Sequence, residues 1–208
     1  MKKPILNIKN LEELSQVEVS EKLYYKGKNL LNSDLSEGEI VEIRLEDCLL
    51  ENMTFNQVKI EEGKIVNCIL DKCNFAGATL NQLLLSQCKI KSNRMQGLQA
   101  PEVIIKDIYY LSCKLNSANF RYGRLKNCIF DSCDLSEVDF VGAELNNVIF
   151  RKCNLQDVEF SQAKFKKVSL KGSQIENIHI NKESFAEVTV DTAQAVYLAP
   201  IFGLKVED

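Results

Sequence analysis

The sequence has no tryptophan, three prolines and a single histidine in 208 residues. Each shortage excludes something. One histidine cannot supply a multi-histidine metal centre, and His179 lies between Ile178 and Ile180, with no serine or cysteine nucleophile arranged around it. The nine glycines are dispersed, so no glycine-rich phosphate loop is present. No apolar run approaches the roughly 18 residues that cross a membrane, and "MKKPILNIKN" has no apolar stretch resembling an export signal. Neither charge dominates: 26 basic and 29 acidic residues give a net charge of -3, which removes any general nucleic-acid or membrane-surface signal. The expectations are no catalytic residue, no cofactor, no metal and a cytoplasmic location.

What is present is a repeat. Every fifth residue from Leu30 to Val190 is Leu, Ile or Phe, except Met95, Ala100, Tyr110 and Val190. The phase never slips. The slot two residues earlier is mostly small or medium and apolar, and all eight cysteines fall in it. The remaining positions are mainly polar.

A period of five fits no ordinary element. Residues five apart on a helix at ~100° per residue are ~140° out of phase. On a continuous strand an odd period reverses the face at each repeat. The pattern works if each unit is a short straight side followed by a corner. The small slot and the large marker then point inward, the residue between them points outward, and two residues turn the chain. Repeated, this coils the chain into a solenoid in which like slots stack in columns.

The units "CNFAG", "ANFRY", "CDLSE", "VDFVG", "CNLQD" and "VEFSQ" resemble the A(D/N)LXX repeat of pentapeptide-repeat proteins. The resemblance covers about Leu30 to Val190. It implies an all-β solenoid, a right-handed quadrilateral β-helix with four units per 20-residue coil, and about eight coils. Cys and Val replace Ala in many small slots, and Asp/Asn is often absent before the marker, which marks a divergent member.

Three segments follow from the pattern: a non-repeat N-terminal cap over 1–29, helical or irregular; the β-helix over 30–190; and a C-terminal helical cap over 191–208. Asp191 or Thr192 is the expected N-cap, and Pro200 limits the last turn. Ala195, Leu198, Ala199 and Phe202 share helical spacing and either plug the last coil or pair with another chain as a homodimer. One coil looks irregular: Asn93 in a small slot, Ala100 at a marker and Pro101 at a corner predict a bulge between Asn93 and Pro101. The cysteines read as reduced thiols filling core space, because no CxxC or Cys/His pair has zinc spacing.

Function is less legible than shape. The preferred reading is a non-enzymatic protein-binding scaffold with an unidentified protein partner and no direct contact with nucleic acid or membrane. Its contact candidates are Leu49, Ile69, Tyr109, Ile129 and Ile149, an apolar outward column interrupted by Lys89. Leu31 and Leu111 flank that column. An outward apolar ladder predicts a covered side, covered by a partner or by the N-terminal segment with Ile5, Leu6, Ile8, Leu11 and Leu14. The resemblance implies an alternative, since some pentapeptide-repeat proteins bind DNA gyrase or topoisomerase IV, type II topoisomerases, by imitating duplex DNA and so protect against quinolones. Asp131, Asp134, Glu137, Asp139 and Glu144 are the acidic-face candidates for it, with a second acidic run from Asp34 to Glu51. Lys106, Arg124, Lys126, Lys164, Lys166 and Lys167 form a basic patch that opposes this reading.

Overall fold

A computed structural model describes residues 11–185 and 187–207. Its strands pair in parallel, from Lys22 onward at an offset of 20 residues; Glu12–Leu14, paired with residues 28–30, is offset by 16. One coil shows why the rod has four sides: Leu49 pairs with Ile69, Thr54 with Asn74, Lys59 with Thr79 and Lys64 with Leu84. We call these sides faces 1 to 4 in that order. Following face 1 through its register gives Asn29, Leu49, Ile69, Lys89, Tyr109, Ile129, Ile149, Ser169 and, from Ser169, Thr189. The solenoid therefore has about 9 turns, slightly more than the repeat count implied.

The corners explain the pentapeptide. The residue two past most markers has positive φ, as at Asn52, Asn127 and Asn147 with φ between 53° and 55°; Glu42 and Glu62 are exceptions. Short polar side chains tolerate that region best. At the corners between faces 2 and 3 and between faces 3 and 4 the marker carbonyl accepts the amide of the next small slot, for example Ala118 N to Leu115 O at 2.9 Å and Ala143 N to Phe140 O at 3.0 Å. A turn closed this way, with positive φ at its third residue, has type II character.

Faces 1 and 2 differ, and the difference places the cysteines. There the small-slot amide reaches a side chain in the next coil instead: Cys48 N to Cys68 Sγ at 3.4 Å, Cys73 N to Asn93 Oδ1 at 2.9 Å and Cys153 N to Ser173 Oγ at 3.0 Å. Each thiol also donates to the carbonyl two residues before it, as Cys68 does to Val66 O at 3.2 Å. A buried amide needs an acceptor, and these two columns hold all the cysteines together with Ser33, Asn93 and Ser173, beside Met53, Ile108, Val148 and Val168. The columns of faces 3 and 4, whose amides are closed inside the turn, hold Gly, Ala, Val, Leu or Ile from Gly38 to Ile178.

The core runs the length of the rod as one cluster. In its C-terminal half Tyr110, Phe130 and Phe150 stack on face 1, with ring centroids 4.5 and 5.2 Å apart. Phe120, Phe140 and Phe160 stack on face 3 at 5.5 and 5.2 Å. The two columns meet edge to face along the axis, Phe140 to Phe150 at 6.3 Å.

Three expectations are corrected. The coil does not begin at residue 30: strand β1 (Glu12–Leu14) pairs with β3 (Lys28–Leu31), and β2 (Lys22–Lys26) pairs with β4 (Glu39–Glu46). Among the described residues the N-terminal segment holds two strands joined by an irregular link, and no helix. Tyr25 already stands in marker phase, opposite Leu45. The Asn93–Pro101 coil is regular; Asn93 points inward because its Oδ1 takes the Cys73 amide, while its Nδ2 has no partner. The real departure lies at Gly63. There β4 and, after β5 (Leu49–Glu51), β6 (Lys59–Val66) run straight through the corner between faces 3 and 4. Gly63 has φ 144°, and a Cβ on it would stand 2.0 Å from the Ile43 carbonyl oxygen.

The expected helix at the C-terminus is α1 (Thr192–Leu198), capped by Asp191, whose Oδ1 accepts the Gln194 amide at 3.0 Å. Pro200 opens the short 3₁₀ turn that follows.

Candidate protein-contact surface

Face 1 brings Leu49, Ile69, Tyr109, Ile129 and Ile149 into one column, with Lys89 in its middle. Strands on this face alternate, so both the central residue and the one two later point outward. The ladder side chains are half-buried, each shielded by the copy ~4.8 Å above and below. They are neither fully exposed nor covered. Strand β1 does not lie over them: Leu14 pairs with Leu30 and extends the marker column at the rod's end. Ile5, Leu6 and Ile8 fall outside the described residues.

The second outward column of face 1 carries its charges in closed pairs. Lys91 Nζ meets Asp71 Oδ2 at 2.9 Å, and Arg151 Nη1 meets Asp131 Oδ2 at 3.2 Å. The Tyr109 hydroxyl donates to the same Asp131 oxygen at 3.1 Å. Burial and this bond raise the Tyr109 pKa. Two of the face's charge pairs are thus neutralised along the rod, while Lys89 in the ladder and Glu51 and Lys171 in the second column are in no ion pair among the described residues.

The acidic-face candidates are not on one face. A coil turns once in 20 residues, so a run of carboxylates close in sequence is wound around the rod. Asp131 stands on face 1, Asp134 on face 2, Glu137 at the corner between faces 2 and 3, Asp139 on face 3 and Glu144 on face 4. Most have partners: Asp139 meets Arg121 Nε at 3.4 Å, and Glu144 lies between Lys164 at 3.4 Å and Arg124 at 4.0 Å. Asp34 to Glu51 encircles the N-terminal end in the same way.

The C-terminal candidates divide. Leu198 and Ala199 are buried and plug the last coil, whereas Ala195 and Phe202 face outward beside the exposed Val196, Tyr197 and Leu204. Gln194, absent from the sequence-based candidates, seals the end: its Nε2 donates to Leu170 O and Ser173 O, both at 2.7 Å. Its position at N3 of a capping box was the available signal.

The eight thiols are free and buried. Burial pushes Cys73 and Cys128 up to about 12, and a thiol that stays protonated is a poor nucleophile or ligand. His179 Nδ1 stands 3.1 Å from Glu159 Oε2 on the exposed face 3. Among the described residues no cluster of three or more His, Cys, Asp or Glu could hold a metal, and no helix is long and apolar enough to cross a membrane.

A profile of the pentapeptide repeat region matches residues 103–180. Residues 103–180 are a pentapeptide-repeat region, and the solenoid that keeps the five-residue phase beyond them has the fold of the pentapeptide-repeat β-helix. Among solved pentapeptide-repeat structures the chain is similar to HetL of the cyanobacterium Nostoc, described as involved in heterocyst differentiation regulation, with 18% identity and a TM-score of 0.60 over 85% of this chain and 80% of that one. That likeness shows the fold. A trypsin-treated form of QnrB1, a plasmid-mediated fluoroquinolone resistance protein, gives 18% identity and a TM-score of 0.46 over 95% of this chain and 100% of that chain. No curated protein sequence matches this chain.

Proposed function

We propose that this chain is a non-enzymatic scaffold whose face 1 holds a protein partner. The observation that carries this reading is the ladder of Leu49, Ile69, Tyr109, Ile129 and Ile149 in register along one face, interrupted by Lys89 and flanked by the Asp71–Lys91 and Asp131–Arg151 pairs. A flat apolar strip of this kind marks a contact, and its neighbouring ion pairs need no new counter-charge from the partner. Rigid, coil-by-coil spacing supplies the specificity. The test is partner retention by the intact chain, by an Ile129→Lys/Ile149→Lys variant, and by a control changed on face 2 at Asn154. Loss only in the ladder variant supports the reading; equal retention by all three overturns it.

Imitation of DNA toward gyrase or topoisomerase IV needs carboxylates aligned along one side. Winding Asp131, Asp134, Glu137, Asp139 and Glu144 around the coil removes that support. The expected outcome is no change in gyrase supercoiling at high micromolar protein. Inhibition that disappears on Glu137→Lys/Asp139→Lys would reinstate the mimic.

The outward apolar residues beyond α1 support pairing of two copies through the C-terminal segment. Phe202, and not the buried Leu198, is the residue to change. Light scattering is expected to give a dimer for the intact chain and a monomer for Phe202→Asp; a monomer for both overturns the dimer.

A further inference from the structure

The C-terminal half of the rod is electrically polarised across its width. On the edge between faces 4 and 1 the register stacks Lys106, Lys126, Asn146 and Lys166 in one column, with Lys167 beside them. All four lysines are exposed, and among the described residues none of them is in an ion pair. Of the acids nearby, Glu144 is held by Arg124 and Lys164, Asp107 is buried and accepts from Asn127 at 3.0 Å, and the exposed Glu187 stands one coil beyond Lys167, at the end of the basic stretch. The diagonally opposite edge, between faces 2 and 3, has the reverse sign. Glu137, Asp157 and Glu176 are exposed on it, and Asp139 and Glu159 stand beside it on face 3. Arg121, paired with Asp139, His179, beside Glu159, and the exposed Lys114 on face 2, one coil below Asp134, are the groups of opposite sign there.

We propose that the basic edge of one copy docks along the acidic edge of a second copy, rods parallel and side by side. Two features of the molecule select this occupant. The signs are complementary, on edges that face away from each other and so cannot neutralise within one chain. The spacings are also identical, because both edges belong to the same coil. Lys106 and Lys126 are one coil apart, and so are Glu137 and Asp157; placing Lys106 against Glu137 therefore brings Lys126 against Asp157. A sliding rod finds this match at whole-coil steps of ~4.8 Å. Each copy carries both edges, so the contact is head-to-tail and does not close; it extends laterally into a row of rods. Exposed ion pairs are individually weak and are screened by salt, which makes the association concentration-dependent and confined to low ionic strength. This behaviour separates it from pairing through the apolar C-terminal segment, which salt does not weaken.

Sedimentation velocity on the full chain tests the proposal at about 20 mM and about 300 mM salt, where the screening length differs several-fold. The expected result is species larger than the dimer at low salt that vanish at high salt. Two charge-reversed variants, Lys106→Glu/Lys126→Glu and Glu137→Lys/Asp157→Lys, each lose the larger species; their equimolar mixture regains them, since one then carries only acidic edges and the other only basic ones. All four changes are on exposed corners, and unchanged circular dichroism confirms folding. The proposal is overturned if the intact chain shows no salt-dependent growth, if growth survives either reversal, or if the mixture fails to associate. Binding of heparin to the basic edge without self-association would assign that edge to a foreign polyanion instead.

Discussion

The two halves of the rod share one backbone and differ in what fills it. Between residues 110 and 160 the markers of faces 1 and 3 are aromatic, stacked in two columns that touch along the axis. Between residues 30 and 100 the markers are mostly Leu and Ile, two strands override a corner at Gly63, and Asn93 leaves a buried Nδ2 unpaired. The family profile finds only the second half, over 103–180. Period alone suffices to build the coil, whereas likeness to relatives depends on the fill. The aromatic half has the units that the profile matches and the stacked rings, and it is expected to be the more stable half.

The contrast can be broken from either side. Phe140→Ala removes a side chain held by Phe120, Phe150 and Phe160, and a cost of about 4 kcal/mol is expected in chemical unfolding; Ile60→Ala in the other half is expected to cost about 3 kcal/mol. Equal costs, or a larger one at Ile60, would remove the distinction. Gly63→Ala drives a methyl into the Ile43 carbonyl at a residue whose φ favours glycine, and about 3 kcal/mol is expected. The same change at Gly97, where nothing lies within 4 Å of the added carbon, meets only the positive-φ penalty, about 1 kcal/mol.

Alkaline pH acts on the thiol columns of both halves. Cys73 and Cys128 have folded-state pKa values pushed up to about 12 by burial, against an ordinary value of 9.0. Their protonated form is the folded one. Stability from them is complete below pH 9.0 and is lost as pH rises toward about 12. The thermal midpoint should accordingly fall across that window and stay flat from pH 6 to 8, as followed by circular dichroism. The smallest effect is a gain. Asn93→Cys keeps an acceptor for the Cys73 amide and removes the orphaned Nδ2, so about 1 kcal/mol of stabilisation is expected; a loss would mean that the asparagine serves the coil better than the thiols around it.

Much of this was legible before the structure. The five-residue phase of Leu, Ile and Phe fixes the inward columns, and Tyr25 extends that phase beyond where the pattern was taken to start. The number of sides was not in the period and came from the resemblance. Asn93 was misread because the sequence does not show that the Cys73 amide lacks a backbone acceptor. The same hidden requirement gathers every cysteine on faces 1 and 2. The acidic run from Asp131 to Glu144 was misread for a simpler reason: neighbours in sequence are dispersed by the coil, and neighbours in space are 20 residues apart. The ladder of Ile129 and Ile149 is legible in the sequence because its members are 20 residues apart, the length of one coil.

Native-state hydrogen exchange, amide by amide, tests the contrast most directly. Parallel ladders run through both halves, so each coil reports its own opening. The amides of Phe120, Leu135 and Phe140 should open only with global unfolding, while those of Phe55, Phe75 and Lys59 should open at a free energy lower by about 2 kcal/mol or more. Equal protection in the two halves, or weaker protection in the aromatic one, would contradict the account.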